Sequence, residues 1–293
     1  MSSVKIERVS YAGWPNCYRV SNDQVELIAT TDVGPRIIHY GFVGGRNMFA
    51  VFEQQAGKSG EAYWQIRGGH RLWIAPELIP DTYALDNKPV QATVDGDMLT
   101  LTADVEPETG LRKRISVKMT GEVTITHEIE NCSSGPKRFA LWALSVMAPG
   151  GVAIAPFPPR ASHEEVLVPT NPLTMWAYTD FSDPRWHFTK THLMLSCDPS
   201  AMTPQKAGLF NPETSCDYVL GSTVFRKRCS CDPNAPYADF HCSLELFTNH
   251  EFLEVETLGA LQDLAPSERA IHVEQWSLHH AETDVAARLR PLT

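Results

Sequence analysis

A chain of 293 residues is long for an average domain, although a single all-β sandwich or barrel can approach this size. Hydrophobic residues make up 43% and charged residues 20% of the sequence, which is typical of a soluble globular protein and excludes a disordered chain. The formal net charge of −10 repels polyanions, so nucleic acids and anionic membrane surfaces are disfavoured as partners.

The N-terminal segment and the overall hydropathy pattern bear on location. Residues 1–8 lack the apolar core of a secretion signal, and no apolar run approaches the ~18 residues of a membrane span. We therefore expect a cytoplasmic protein. We also find no linker and no internal repeat, which predicts a single domain over residues 1–293.

The seven cysteines are odd in number and include no CxxC pair. Together with the missing export signal, this pattern predicts reduced thiols. Cys229 and Cys231 are the only close pair, and metal-ligand spacing does not favour a structural metal there.

Residues 4–60 contain short extended segments separated by turn signals. Gly34-Pro35 and Gly44-Gly45 mark the turns. The predicted strands between them are Val25–Ala29, Arg36–Phe42 and Met48–Phe52.

Residues 64–77 have the composition of a polar-ligand site. Indole rings offer flat faces to a ligand, guanidinium groups donate to hydroxyls or anions, and Gly68-Gly69 lets the backbone pass close to a neighbour. The alternative is a structural loop whose tryptophans pack in the core and whose arginines lie in solvent. The candidate residues are Trp64, Arg67, His70, Arg71, Trp73 and Glu77.

Residues 90–131 alternate strictly between apolar and polar side chains and contain Gly at their turns. This pattern predicts an antiparallel meander with one face packed on another sheet. His127 is in phase with the apolar face, so we interpret it as a core residue. Phe139–Met147 is almost entirely apolar, which indicates a central strand.

The region 149–212 is rich in proline, which disfavours long helices and central strands there. Long loops on a β scaffold often carry binding residues. Candidates in this region include His187, His192 and Lys206.

The C-terminal third returns to strands, predicted at Tyr218–Arg228, His241–Phe247, Phe252–Leu258 and Ile271–Leu278, with a short helix possible at Glu282–Leu289. In the predicted strand Phe252–Leu258, Glu254 and Glu256 lie on one face, roughly 7 Å apart. On an outer face they would simply be solvated; on a concave face they would raise each other's proton affinity and could act as a base or an acid.

The Arg-Gly-Gly loop, the meander, the apolar strand, the proline-rich middle and the late Val255-Glu256-Thr257 strand together resemble the galactose mutarotase-like superfamily. Within it, the Gly-Gly-His-Arg-Leu-Trp loop and the Glu-x-Glu-Thr-Leu-Gly strand look like those of a bacterial family of unassigned function. The resemblance implies an all-β β-supersandwich of antiparallel sheets with long proline-rich loops.

The resemblance also implies roles for individual residues. Arg67 matches an arginine that contacts the sugar in hexose-6-phosphate mutarotases, and Glu256 matches the general base of aldose 1-epimerases. Trp142 stands where that family has its general-acid histidine, and an indole N–H has no useful acidity. The acid would then be His70 first, or His187, His192 or Lys206.

Three functions follow from the resemblance: an aldose 1-epimerase-like isomerase, a non-catalytic carbohydrate-binding protein, or another sugar-active enzyme such as a hydrolase or lyase. Acid/base anomerisation needs neither metal nor cofactor. The expected partner is a small carbohydrate, and the expected assembly is a monomer or homodimer. The expected catalytic residues are Glu256, His70 and Arg67, and the expected substrate-binding residues are Trp64, Arg71, Trp73, Glu77, Trp142, His187, His192, Lys206 and Glu254.

Overall fold

The period-2 segments of the sequence form strands that assemble into two antiparallel sheets. The structure is a computed structural model that describes residues 4–281. This range contains 21 strands, numbered β1 to β21 in chain order, and two short helical turns, Asp81–Tyr83 and Ala238–His241. The prediction of an all-β fold with antiparallel sheets is confirmed. The helix expected at Glu282–Leu289 lies outside the described residues.

The first sheet has eleven strands in the described range. They are β1 (Lys5–Tyr11), β2 (Trp14–Ser21), β3 (Val25–Thr30), β4 (Arg36–Phe42), β5 (Gly69–Ala75), β10 (Lys137–Met147), β12 (Leu173–Met175), β15 (Gln205–Leu209), β18 (Leu244–Thr248), β19 (Leu253–Leu258) and β20 (Gln262–Leu264). The spatial order is β1-β2-β3-β4-β5-β10-β19-β18-β15-β12, and β20 pairs with the start of β10. The centre of this sheet is therefore β5, β10 and β19.

The second sheet has ten strands in the same range. They are β6 (Gln91–Asp95), β7 (Met98–Thr102), β8 (Leu111–Met119), β9 (Val123–Asn131), β11 (Val152–Pro156), β13 (Trp186–Phe188), β14 (His192–Ser196), β16 (Ser215–Leu220), β17 (Thr223–Arg228) and β21 (Arg269–His280). Their order is β13-β14-β11-β16-β17-β21-β9-β8-β7-β6. The meander predicted over residues 90–131 forms β6 to β9.

The main core lies between the two sheets. Leu72 and Val255 of the first sheet belong to the same buried cluster as Ile115, Ile125 and Trp276 of the second. Full burial of such side chains contributes about 1.5–3 kcal/mol each, so the shared cluster holds the sheets together.

Some predicted strand boundaries were wrong. Met48–Phe52 forms only isolated bridges at Phe49 and Val51. The segment Tyr218–Arg228 is not one strand, because the chain reverses at Gly221, which has a φ of 62°, and forms the β16–β17 hairpin.

The proline-rich region holds more regular structure than predicted. It contributes β11 to β15, and β11 is an inner strand of the second sheet. Three of the prolines lie at strand ends and others lie in the loops: Pro156 is the last residue of β11, Pro172 precedes β12 and Pro204 precedes β15. At these positions the missing N–H removes no essential ladder bond.

In residues 4–281 no helix has the length and apolar composition needed to cross a bilayer. All seven cysteines lie in this range and all are free thiols, as predicted.

Candidate functional site

A pocket of about 220 Å³ lies on the face of the first sheet that points away from the main core. Its floor comes from the central strands β5, β10 and β19, and its walls come from β15, β18 and four connecting segments. The lining residues are Trp64, Ile66, Arg71, Trp73, Glu77, Tyr83, Trp142, Leu144, Tyr178, Lys206, Phe247, Phe252, Glu254 and Glu256.

Strand alternation decides which side chains reach this pocket. On β5, Leu72 and Ile74 face the main core, whereas Arg71 and Trp73 line the pocket. Because successive side chains of a strand point to opposite faces, His70 is directed to the core.

The central strands also set the lateral order of the site. Trp73 pairs with Trp142 across β5 and β10, and Glu256 lies opposite Leu144 across β10 and β19. Leu253 and Val255 belong to the core cluster, whereas Glu254 and Glu256 line the pocket. The two carboxylates therefore share one face, as the alternation predicts, and this face carries the pocket.

Glu256 has a different environment at each carboxylate oxygen. Its Oε2 accepts hydrogen bonds from Trp142 Nε1 at 2.9 Å and from Lys206 Nζ at 3.0 Å. Its Oε1 is buried and has no hydrogen-bond partner within residues 4–281. An unpaired buried acceptor is costly, so this oxygen is suited to a ligand donor.

Lys206 is the central cation of the site. Its Nζ lies 2.8 Å from Glu245 and 3.0 Å from Glu256, and 4.6 Å from the ring centroids of both Trp142 and Trp176. Burial opposes its charge, but the two carboxylates outweigh burial and raise the pKa of Lys206 well above its usual value.

Arg71 is held between aromatic rings. Its guanidinium carbon lies 4.4 Å from the Trp73 ring centroid and 5.3 Å from that of Trp64, and Nη1 lies 2.8 Å from Glu254. The indole nitrogens of Trp64 and Trp73 are buried and lack hydrogen-bond partners in the described chain. The pocket thus offers donors next to flat apolar faces.

The carboxyl groups around Lys206 and Arg71 are buried. Burial raises the pKa of Glu254, and the charge of Glu256 adds to the rise while Arg71 opposes it. Burial and the same Glu256 charge also raise the pKa of Glu245 well above its usual value. Burial raises the pKa of Tyr178 to about 12, which makes its hydroxyl a weak acid.

Arg67 lies outside this pocket, contrary to expectation. Arg67, Gly68 and Gly69 all have positive φ, at 52°, 77° and 72°. A Cβ on Gly68 would lie only 2.1 Å from the Ala50 carbonyl oxygen, so this turn requires glycine. The turn directs the Arg67 guanidinium to Glu61 and to Asp86, whose Oδ1 is 3.7 Å from Nη1.

His70 also lies outside the pocket, which corrects its assignment as the leading acid. It is buried between the sheets, where Nδ1 is 2.9 Å from Ser145 Oγ and Nε2 is 2.7 Å from His127 Nε2. Burial and the nearby charge of Lys227 place its pKa well below its usual value. A ligand in the pocket has no access to this ring.

His187 and His192 lie at the edge of the second sheet, on β13 and β14, and do not line the pocket. Glu77 does line it and accepts a hydrogen bond from Tyr83 at the rim. The structure therefore brings together Trp64, Arg71, Trp73, Glu77, Trp142, Lys206, Glu254 and Glu256.

Sequence reasoning missed Glu245 and Tyr83. Glu245 is directly opposite Glu256 on the neighbouring strand β18. The alternation Leu244-Glu245-Leu246 was a usable signal, because it places a carboxylate on the face away from the core. Tyr83 follows a proline-containing loop, and nothing in its sequence context indicates the pocket.

The ligand atoms of His70, His127 and Glu274 lie within 4.8 Å of one another and could in principle hold a metal. However, the Lys227 ammonium already lies 2.9 Å from Glu274, and the imidazole rings of His70 and His127 are hydrogen-bonded to each other. A metal cation would have to displace both interactions, so this donor set fits a hydrogen-bonded structural network better.

A larger cavity of about 690 Å³ lies elsewhere, beside Cys229 and Cys231. Their Sγ atoms are 3.9 Å apart. The smaller pocket is lined by five tryptophan or tyrosine side chains and by paired buried carboxylates, and we therefore assign the candidate site to it.

Comparison with solved structures identifies the fold. A galactose mutarotase-like protein from Lactobacillus casei superposes with a TM-score of 0.61 at 10% identity, covering 90% of this chain and 100% of that chain. Slr1438 from Synechocystis gives 0.60 at 13% identity, covering 93% and 99%. A galactose mutarotase related enzyme from Lactobacillus acidophilus gives 0.58 at 7% identity, covering 92% and 99%.

No family model matches the chain, and no curated protein matches it significantly. The structural similarity nevertheless extends over nearly the whole sequence. The chain has the galactose mutarotase-like sandwich fold.

Proposed function

We propose that this protein is an aldose 1-epimerase-like isomerase that interconverts the anomers of a sugar by general acid/base catalysis. One observation carries the proposal: Glu256 has its Oε2 fixed by Trp142 and Lys206, while Oε1 is unpaired in an aromatic-walled pocket. The similarity in fold to a galactose mutarotase-like protein and to a galactose mutarotase related enzyme supports the same class.

Anomerisation requires a base for the anomeric hydroxyl proton and an acid for the ring oxygen. Ring opening then gives an aldehyde, whose C1–C2 bond rotates before the ring closes again. Each positioned group contributes about 10²–10⁴ in rate. We assign the base to Glu256 Oε1, because the other oxygen already accepts hydrogen bonds from Trp142 and Lys206, which leaves Oε1 open to the anomeric hydroxyl.

We assign the acid to Glu254. It lies on the same face of β19, roughly 7 Å away, and its raised pKa increases the share of the protonated form that can donate, while the ionised form keeps the ion pair with Arg71. Trp142, which stands at the acid position implied by the resemblance, positions Glu256 through its indole N–H.

Substrate binding follows from the other walls. Trp64, Trp73 and Trp142 contribute aromatic surface to the pocket, against which we expect a pyranose to pack, and Arg71 lies over two of these rings. The unpaired indole nitrogens can donate to sugar hydroxyls.

The second candidate is a carbohydrate-binding protein without catalysis, and Trp142 favours it. An indole cannot replace the proton transfer of a histidine. A glycoside hydrolase is less favoured, because carboxylates on the same strand point in parallel and do not flank a bond.

Anomer exchange measured by NMR on a panel of aldoses separates the two leading candidates. An isomerase accelerates exchange above the buffer rate in proportion to protein concentration. Saturable sugar binding with exchange at the buffer rate would favour the binding protein instead. If the protein neither accelerates anomer exchange nor binds a sugar, both candidate functions are contradicted.

A further inference from the structure

Both cations that line the pocket are already matched by carboxylates. Arg71 lies 2.8 Å from Glu254, and Lys206 lies 2.8 Å from Glu245 and 3.0 Å from Glu256. A phosphate or carboxylate on a ligand would have to compete with these internal partners. It would also leave a buried carboxyl without its cation, which is strongly unfavourable.

The lining contains more carboxyl groups than cations. Glu77, Glu254 and Glu256 line the pocket together with Arg71 and Lys206. Glu245 lies directly behind Lys206 and is fully buried. An anionic ligand is therefore repelled by these carboxylates unless they take up protons. The hydroxyl groups of an uncharged sugar avoid this cost, because they can form hydrogen bonds with the unpaired Glu256 Oε1 and indole nitrogens.

Arg67 is further evidence against an anionic ligand. The resemblance to hexose-6-phosphate mutarotases implies that this arginine contacts the sugar. Here it is buried, paired with Glu61 and Asp86, and outside the pocket. It therefore cannot supply a cation to an anionic sugar.

The pocket is also small. Its volume of about 220 Å³ lies below the roughly 300–1,000 Å³ of pockets for drug-sized ligands. A single sugar ring matches this size better than an oligosaccharide.

From these observations we propose that the site selects one uncharged monosaccharide and discriminates against sugar phosphates and uronic acids. The inference rests on the proposed function, since it concerns the substrate class of the same pocket. The site discriminates against anionic sugars because Arg71 and Lys206 are already paired with carboxylates of the protein.

The test compares an aldohexose with its 6-phosphate and with the corresponding uronic acid, at neutral pH, by calorimetric Kd and by anomer exchange. We expect the two anionic sugars to bind at least about tenfold more weakly. Equal or tighter binding of either anionic sugar would overturn the proposed substrate class. If that sugar also exchanged its anomers, the isomerase function would stand while the substrate class failed.

Binding of the uncharged sugar without accelerated exchange would support the substrate class and contradict the isomerase. If no sugar binds and none exchanges, both proposals fail.

A matched pair of variants tests the origin of the discrimination. Glu254→Gln removes the carboxylate partner of Arg71, so we expect the Kd ratio of anionic to uncharged sugar to fall at least about tenfold. Glu251→Gln removes an exposed carboxylate from the turn before β19 and should leave the ratio unchanged. An unchanged ratio in Glu254→Gln, with intact binding of the uncharged sugar, would contradict the role given to the ion pair.

Discussion

At the scale of single residues, Lys206 determines the charge state of the site. One buried ammonium serves two buried carboxyl groups and is flanked by two indoles. Such a group offsets part of the cost of burying the carboxyl groups beside it.

Removal of this cation should therefore destabilise the fold. We expect Lys206→Met to lower the free energy of unfolding by about 3–5 kcal/mol, because it leaves Glu245 and Glu256 without their shared partner. Lys118→Met is the control, since Lys118 forms an exposed pair with Asp97 at 3.6 Å and should cost no more than about 1 kcal/mol. Urea denaturation at neutral pH measures both. Equal losses in the two variants would contradict the account.

Arg67 and Arg71 lie four residues apart but differ in whether they reach the pocket. Both belong to the same short motif, yet Arg71 lines the pocket and Arg67 does not. We expect Arg71→Ala to weaken sugar binding at least about tenfold, whereas Arg67→Ala should mainly lower stability through loss of its buried pairs. Calorimetric Kd and urea denaturation on both variants test this. Weaker sugar binding by folded Arg67→Ala than by Arg71→Ala would reverse the assignment.

The composition of residues 64–77 predicted a polar-ligand segment but did not show which arginine reaches the ligand. That choice depends on three consecutive positive φ values at residues 67–69. The Gly-Gly pair indicates an unusual turn, but the direction of the Arg67 side chain depends on Glu61 and Asp86, which contact it only in the folded chain.

At the scale of elements, the alternation within β19 predicted correctly that Glu254 and Glu256 share a face. It could not predict that Glu245 lies opposite Glu256, because strand register between β18 and β19 is a tertiary property. His127 was predicted to be a core residue from its phase on β9, and this is confirmed. The same reasoning applied to β5 would have assigned His70 to the core.

A buried polar network links these strands across the core. His127 Nδ1 lies 3.0 Å from the His272 carbonyl oxygen and so carries a proton, which leaves Nε2 to accept from His70. Lys227 Nζ lies 2.9 Å from Glu274, and Thr257 Oγ1 lies 2.8 Å from His272 Nε2. The network therefore ties β19 and β5 to the second sheet.

This network makes stability depend on pH. Burial lowers the pKa of His272 from 6.5 to about 3, so the unfolded chain takes up this proton more readily than the folded protein. The corresponding stability is fully present above pH 6.5 and is lost as the pH falls toward 3, by up to about 1.4 kcal/mol per unit.

Comparison with His272→Asn isolates this contribution, because the other titrating groups are common to both proteins. Between pH 6.5 and pH 3 we expect the wild type to lose stability relative to the variant by up to about 1.4 kcal/mol per unit. Chemical denaturation at several pH values measures the difference, with the exposed His163→Asn as control. Parallel pH profiles for wild type and His272→Asn would contradict the prediction.

At the scale of the whole molecule, two sheets share one core and leave the outer face of the first sheet to carry the pocket. The sequence predicted this all-β architecture, because local alternation and turn residues are properties of short segments. It did not predict β11 to β15, because these strands are short and the prolines at their ends and in the loops between them obscure the pattern. The site depends on β5, β10, β15, β18 and β19, which are brought together by the fold from distant parts of the chain.

The most direct test of the central claim is the anomer-exchange rate of Glu256→Gln at saturating sugar, measured by NMR beside the wild type. Glutamine keeps the shape of the side chain but cannot take up the anomeric proton. We predict that exchange falls by at least about 10²-fold while the Kd stays within about tenfold of the wild-type value. Equal exchange rates for the two proteins, with unchanged binding, would contradict the role of Glu256 as the base.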